Sequence, residues 1–194
     1  MEIQPLLNYI KKEIDLTPDE EALLTQKVIF RTYLKNQFII QQGDVCKFQC
    51  FVISGCTKTF YADDDGQEHI MMFSIEDWWA SDMGSFITQT AADFNVQCLE
   101  KTQVAMFDYH DMETLCKEIP KLERFFRIII QRGFVSLQKR LIRNFSLPAK
   151  ERYLYFRNQY PKIEQRIPQY MLASYLGITK EFLSKIKSQI LLEQ

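Results

Sequence analysis

The chain has 194 residues, 46% of them hydrophobic and 25% charged, and a formal net charge of −1. This is the composition of a globular chain long enough to bury a core, and it excludes a disordered or low-complexity protein. The near-neutral total hides a division: 8 Lys+Arg stand against 19 Asp+Glu through Cys116, but 16 against 6 from Lys117 onward. Such asymmetry points to an interaction surface in the basic part.

Other classes fall away for equally simple reasons. No apolar run reaches the roughly 20 residues that cross a bilayer, so no membrane partner is expected. Residues Met1 to Leu16 carry Glu2, Lys11, Lys12 and Glu13 and lack the apolar stretch of a secretory signal. The five cysteines (46, 50, 56, 98 and 116) are odd in number and form no CxxC pair, which reads as reduced thiols in a cytoplasmic protein. Two distant histidines, His69 and His110, cannot supply the clustered ligands of a zinc or iron–sulfur site. No metal is therefore expected.

The first fifteen residues place Ile3, Leu6, Leu7, Ile10 and Ile14 at helical spacing. Thr17-Pro18-Asp19-Glu20 then starts a second helix, with a hydroxyl cap, proline in the first turn and acids at the positive end of the dipole. From Val28 to Phe107 the texture becomes that of strands. Runs at 28–33, 37–40, 50–53, 57–61, 69–73, 95–98 and 104–107 are separated by Gln42-Gly43-Asp44, Ser54-Gly55, Asp63-Asp64-Asp65-Gly66 and Glu100-Lys101. Seven or eight short strands at this interval predict a jelly-roll β-barrel. The three-aspartate run reads as a hairpin turn, because the later ligands of a calcium loop are missing.

After Pro120 a long helix is predicted over 121–145, with Gly133 as its sole glycine. Its apolar residues cover more than the one stripe a surface helix needs. The excess packs either inside the monomer or on a second copy, and the second reading is preferred. It assigns Phe126, Ile129, Ile130, Gly133 and Leu137 to a dimer interface, with Gly133 allowing close approach. A short helix follows over 149–159, and two more over 167–192 are broken at Gly177.

The most specific signal lies between Gln169 and Lys187. Ala173 is small where two helices cross, and four residues later Gly177 suits a left-handed turn. Leu172, Leu176, Ile178, Leu183 and Ile186 are spaced to form a small core. Thr179, Lys180, Glu181, Ser184, Lys185 and Ser188 then face outward, as on a recognition helix entering a major groove. Gln169 and Arg166 complete the candidate DNA-binding set. Arg143, Lys150, Arg152, Arg157 and Lys162 add charge for phosphate neutralisation.

In this order, a small barrel, a long helix and a helix-turn-helix resemble the cyclic-AMP receptor/FNR (CRP/FNR) family of bacterial transcription regulators. The motifs that carry the resemblance are Gln42-Gly43-Asp44, Ile53-Ser54-Gly55, residues 76–82 and Ile178 to Ile186. The chain is most similar to the family's short Bacteroidetes-type forms. The resemblance implies an α+β fold: a cyclic-nucleotide-binding-like barrel over residues 1–117, a dimerisation helix over 118–146 and a helix-turn-helix domain over 147–194. It implies base contacts by Lys180, Glu181 and Lys185, and double-stranded DNA, a second copy and RNA polymerase as partners.

Two departures from that pattern matter. The family's nucleotide cassette has Gly-Glu, a short helix and Arg-Ser/Thr-Ala. Here the first pair is Ser81-Asp82, the arginine position falls at Ala91-Ala92-Asp93, and no arginine occurs between Arg31 and Arg124. A buried phosphate would lack its bidentate cation. No cyclic nucleotide is therefore expected as cofactor, and Ser81, Asp82, Met83, Gly84, Ala92 and Asp93 are left as an effector pocket for an unidentified ligand or for side chains such as Trp78 and Phe94. The family's β-hairpin wing also has no counterpart after Lys187, so base contacts are expected to rest on the recognition helix. The rival readings are a ligand-sensing or protein-interaction module with degenerate DNA binding, and a cupin-like metalloenzyme. The histidine count argues against the enzyme.

Overall fold

The computed structural model describes residues 2–193. Two helices open the chain, α1 (Gln4–Ile10) and α2 (Pro18–Lys27). Thr17 caps α2 with a reciprocal box: its hydroxyl accepts from the Glu20 N–H, and the Glu20 carboxylate accepts from the Thr17 N–H at 2.7 Å. Seven strands follow: β1 (Ile29–Tyr33), β2 (Phe38–Ile40), β3 (Phe48–Ser54), β4 (Thr57–Ala62), β5 (Glu68–Ser74), β6 (Asn95–Cys98) and β7 (Thr102–Asp108). Helix α3 (Met83–Thr88) interrupts them between β5 and β6.

The strands form two antiparallel sheets, ordered β1-β7-β3 and β2-β6-β4-β5. They make a sandwich whose core includes Phe51, Val52, Val96, Val104 and Phe107. The β3–β4 turn depends on Gly55. Its φ is +112°, and a Cβ there would stand 2.6 Å from the Thr102 Cα, so any side chain would collide with the backbone of β7.

The helical part comprises α4 (Tyr109–Glu118), α5 (Lys121–Ser146), α6 (Ala149–Gln159), α7 (Pro161–Glu164), α8 (Gln169–Leu176) and α9 (Lys180–Leu192). Helix α5, about 39 Å long, begins on the sandwich. Leu122 and Phe125 are buried there, and Trp79 sits among Phe51, Phe107, Phe125 and Phe126. Farther along, Arg140 and Arg143 lie against Tyr175 and Tyr155, but an apolar face is left open. Ile130, Phe134, Val135, Leu137, Leu141, Ile142 and Phe145 are exposed, Phe134 to 60% and Phe145 to 87%.

The helix-turn-helix rests on the sandwich rather than standing apart from it. Phe60, Ile70 and Phe73 of β4 and β5 share a core with Tyr153, Phe156, Ile163, Leu172 and Leu176. Strand β5 is an edge strand, pairing with β4 alone. On its open side the Ser174 hydroxyl accepts from the Ile70 N–H and donates to the Glu68 carbonyl, both at 3.1 Å. One side chain thus satisfies a donor and an acceptor that an open edge would leave to solvent.

Candidate functional site

The turn between α8 and α9 forms as the residue types require. Gly177 takes φ +66°, and the Thr179 hydroxyl accepts from the Phe182 N–H at 3.2 Å, starting α9. Leu172, Ala173, Leu176, Leu183 and Ile186 are buried, so the inward face of α9 is set by its own apolar spacing. Its outward face carries Lys180, Glu181, Ser184, Lys185 and Ser188, which with Gln169 line a wide open concavity of about 650 Å³. Gln189 and Leu192 also line it. The candidate set had missed these two, although Glu181, Lys185, Ser188 and Leu192 follow one helical stripe. Chemically the face offers ammonium, amide and hydroxyl donors beside a single carboxylate acceptor, groups that match base edges and phosphates.

Two candidate residues are placed differently. The Thr179 oxygen is engaged as the cap, leaving its O–H to donate outward. Arg166 lies on the seam with the sandwich, not on the α9 face. Its guanidinium is bidentate to Glu76 at 2.8 and 3.0 Å and also donates to Glu100. In this conformation its charge fastens the helix-turn-helix to the turn that follows β5. Tyr160 packs edge-on to Trp78 along the same seam, with ring centroids 5.6 Å apart. A seam arginine is invisible to sequence reasoning because its partners lie 90 and 66 residues away.

Burial pushes the Glu76 carboxyl up, but hydrogen bonds from Arg166 and the Gly55 N–H outweigh that effect and hold it below its ordinary 4.5. A depressed carboxyl stabilises the folded contact above that ordinary value, and the contribution is lost as pH falls through the lower folded value. The seam is therefore expected to loosen below about pH 4.5. Trp78 emission in a Trp79→Phe background reads this directly, and Glu76→Gln should remove the acid transition.

At the effector position Asp82 is 3% exposed and fully used. Its Oδ1 accepts from the Ser85 N–H at 2.9 Å, capping α3, and its Oδ2 accepts from the N–H groups of Asp93 and Phe94 at 2.9 and 3.2 Å. Ser81 donates to Gln49 at 2.6 Å, Ala92 is buried, and Met83, Gly84 and Asp93 are exposed. The Asp82 carboxylate thus ties the α3 turn to the segment entering β6.

Burial raises all five thiols: Cys46 and Cys50 move upward, Cys56 is pushed to about 12, and Cys98 and Cys116 to about 11. At neutral pH each is overwhelmingly the unreactive thiol. A thiol reagent applied to the native protein at pH 7.5 should modify at most the half-buried Cys116 within minutes, and all five after denaturation. Rapid reaction of Cys46 or Cys50 in the native state would contradict this.

Residues 30–119 match the cyclic nucleotide-binding domain family. The chain is 26% identical over 167 residues to the transcriptional activator protein Anr of Pseudomonas aeruginosa, covering 80% of this chain and 68% of that protein. It is also 26% identical over 126 residues to Anr of Pseudomonas protegens, 65% of this chain and about half (51%) of that relative's length. Among solved structures it resembles FixK2 from Bradyrhizobium japonicum, with a TM-score of 0.75 and 14% identity over 86% of this chain and 85% of that one. The c-di-GMP responsive global regulator CLP of Xanthomonas campestris gives 0.73 and 16%, over 91% and 93%. At such identities the structural likeness concerns the fold.

Proposed function

We propose that this chain is a transcription regulator of the CRP/FNR type that binds palindromic DNA as a homodimer through α9, a reading supported by its cyclic nucleotide-binding domain match and its likeness to the Anr activators. The observation that carries the reading is the outward face of α9. Its base-compatible side chains are exposed together on one side, while Leu183, Ile186 and Ile190 on the opposite face are buried. Lys180 and Lys185 donate to guanine edges or phosphates, Glu181 accepts from cytosine, and Ser184 and Ser188 serve either.

The exposed apolar stretch of α5 supports the homodimer. Phe126 and Ile129 pack against their own sandwich, whereas Ile130 and Leu137 are exposed and a Cβ at Gly133 would meet nothing within 4 Å. A two-fold axis along α5 presents two α9 helices to successive major grooves, roughly 34 Å apart. A sandwich that takes no cyclic nucleotide in the family's manner is supported by both Asp82 oxygens being committed internally and by the lack of any arginine between Arg31 and Arg124 in the sequence. No helix among the described residues is long and apolar enough to cross a membrane. By family resemblance the regulator acts in the cytoplasm, alongside RNA polymerase.

Selection of bound fragments from random DNA, repeated across salt concentrations, tests this reading. A palindromic site should emerge, and Lys180→Ala and Lys185→Ala should each weaken it roughly 10- to 100-fold. Failure to enrich any site at low salt would overturn it.

A further inference from the structure

A second basic site lies where the last turns of α5 meet α6 and α8, away from both the α9 face and the cassette. Arg140, Arg143 and Arg152 line a partly enclosed pocket together with Tyr155, Tyr160 and Tyr175. The Arg140 guanidinium lies 4.0 Å from the Tyr175 ring centre, and that of Arg143 lies 3.9 Å from Tyr155. Stacking of this kind fixes the two planar cations in place.

These charges have no counter-charge. None of the ion pairs among the described residues involves any of the three arginines. Their acceptors are neutral carbonyls. Arg140 donates to Met71 and, at 3.2 Å, to Tyr175; Arg152 donates to Asn144 at 3.0 Å. The Nε–H groups of Arg140 and Arg152 are buried with no acceptor at all. Asn144 stands at the C-terminal end of α5, whose dipole supplies about half a negative charge. That is small beside three guanidiniums. Burial lowers the Arg140 pKa from its ordinary value and the neighbouring Arg143 charge adds to that, with Tyr175 opposing them, while the guanidinium stays charged. Like charges gathered around an internal pocket, with donors left over, are the electrostatic complement of an oxyanion.

We propose that this junction is a binding site for the phosphate group of a small phosphorylated ligand. The enclosed space is about 20 Å³, room for roughly one water-sized atom. A terminal phosphate would seat one oxygen inside and hold the rest at the open mouth, against Arg143 and Arg152. Because the pocket joins α5 to α6 and α8, an occupied site would tie the long helix to the helix-turn-helix.

Titration of the full chain without DNA tests the site. Inorganic phosphate and pyrophosphate are compared with chloride at matched ionic strength, using melting temperature and calorimetry. Pyrophosphate is expected to bind saturably and to raise the melting temperature, with Arg143→Gln and Arg152→Gln each weakening it about tenfold or more. Arg152→Lys, which keeps the charge but loses the fork, should lie between, and it serves if a glutamine variant unfolds. Binding no better than chloride, or unchanged in all the variants, overturns the proposal. So does a result in which no free phosphate binds but each glutamine variant lowers the salt slope of DNA affinity by about one, since the arginines would then serve the DNA backbone. The DNA-free titration stands whether or not a DNA site is found.

Discussion

Phe134→Asp is expected to convert the protein from dimer to monomer and to weaken binding to a palindromic site at least a hundredfold, with little change in the monomer's own fold. The side chain is 60% exposed in the single chain, and exposed substitutions of this kind usually cost within about 0.5 kcal/mol. The same position lies among Ile130, Leu137, Leu141 and Ile142, all exposed. Fully burying side chains of this size contributes about 1.5–3 kcal/mol each, enough in sum to offset an association cost of about 4–15 kcal/mol. An aspartate on each subunit would place two unpaired carboxylates in that seam, a heavy desolvation cost. Light scattering after size-exclusion chromatography reads the mass, and fluorescence anisotropy on the selected site reads the affinity. A dimeric variant with undiminished DNA binding would remove α5 from the interface.

Asp82→Ala is expected to lower stability by about 3 kcal/mol, because three backbone N–H groups lose a buried charged acceptor. For a chain of this size that is a fall in melting temperature of about 6–12 °C. Asp82→Asn keeps one acceptor oxygen but turns an NH2 toward a donor, so it should recover only part of the loss. Scanning calorimetry without added ligand distinguishes this from a ligand-holding role. A residue kept for an absent ligand would leave the apo melting temperature unchanged on substitution.

Much of the architecture was legible because its signals are local. Thr17 and Glu20 form the expected capping box, Gly177 takes the left-handed turn, and the strand runs all become strands. The helix over 149–159 is observed with those bounds. Helix α4 was not anticipated. Its inward stripe of Tyr109, Met112, Leu115 and Cys116 is short and runs on directly from β7 with only Asp108 as a cap between them, so no turn residue separates the helix from the preceding strand. Trp78 and Trp79, in the turn after β5, diverge, one toward Tyr160 and the other into the sandwich core.

The candidate DNA face divides the same way. Lys180, Glu181, Ser184, Lys185 and Ser188 share one side of a helix because a 3.6-residue period, visible in the sequence, places them there. Arg166 belonged to the same basic neighbourhood in sequence, yet it binds Glu76 and Glu100. The charge division at Cys116 shows a related limit. It marked the basic part correctly as a place of cations, but it gave no means of telling an arginine paired across a seam from one left without a counter-charge.

The sequence by itself determined the strand runs, the long helix, the two helices around Gly177 and the arginine-free stretch between Arg31 and Arg124, since caps, periods and turns act over a few neighbouring residues. Only the tertiary structure decided that Asp82 is occupied by backbone donors, that Ser174 closes the β5 edge and that Arg140, Arg143 and Arg152 surround one pocket. Those facts depend on pairing groups as far as 106 residues apart. Such pairing is set by how whole layers pack, and no local pattern of residue types encodes it.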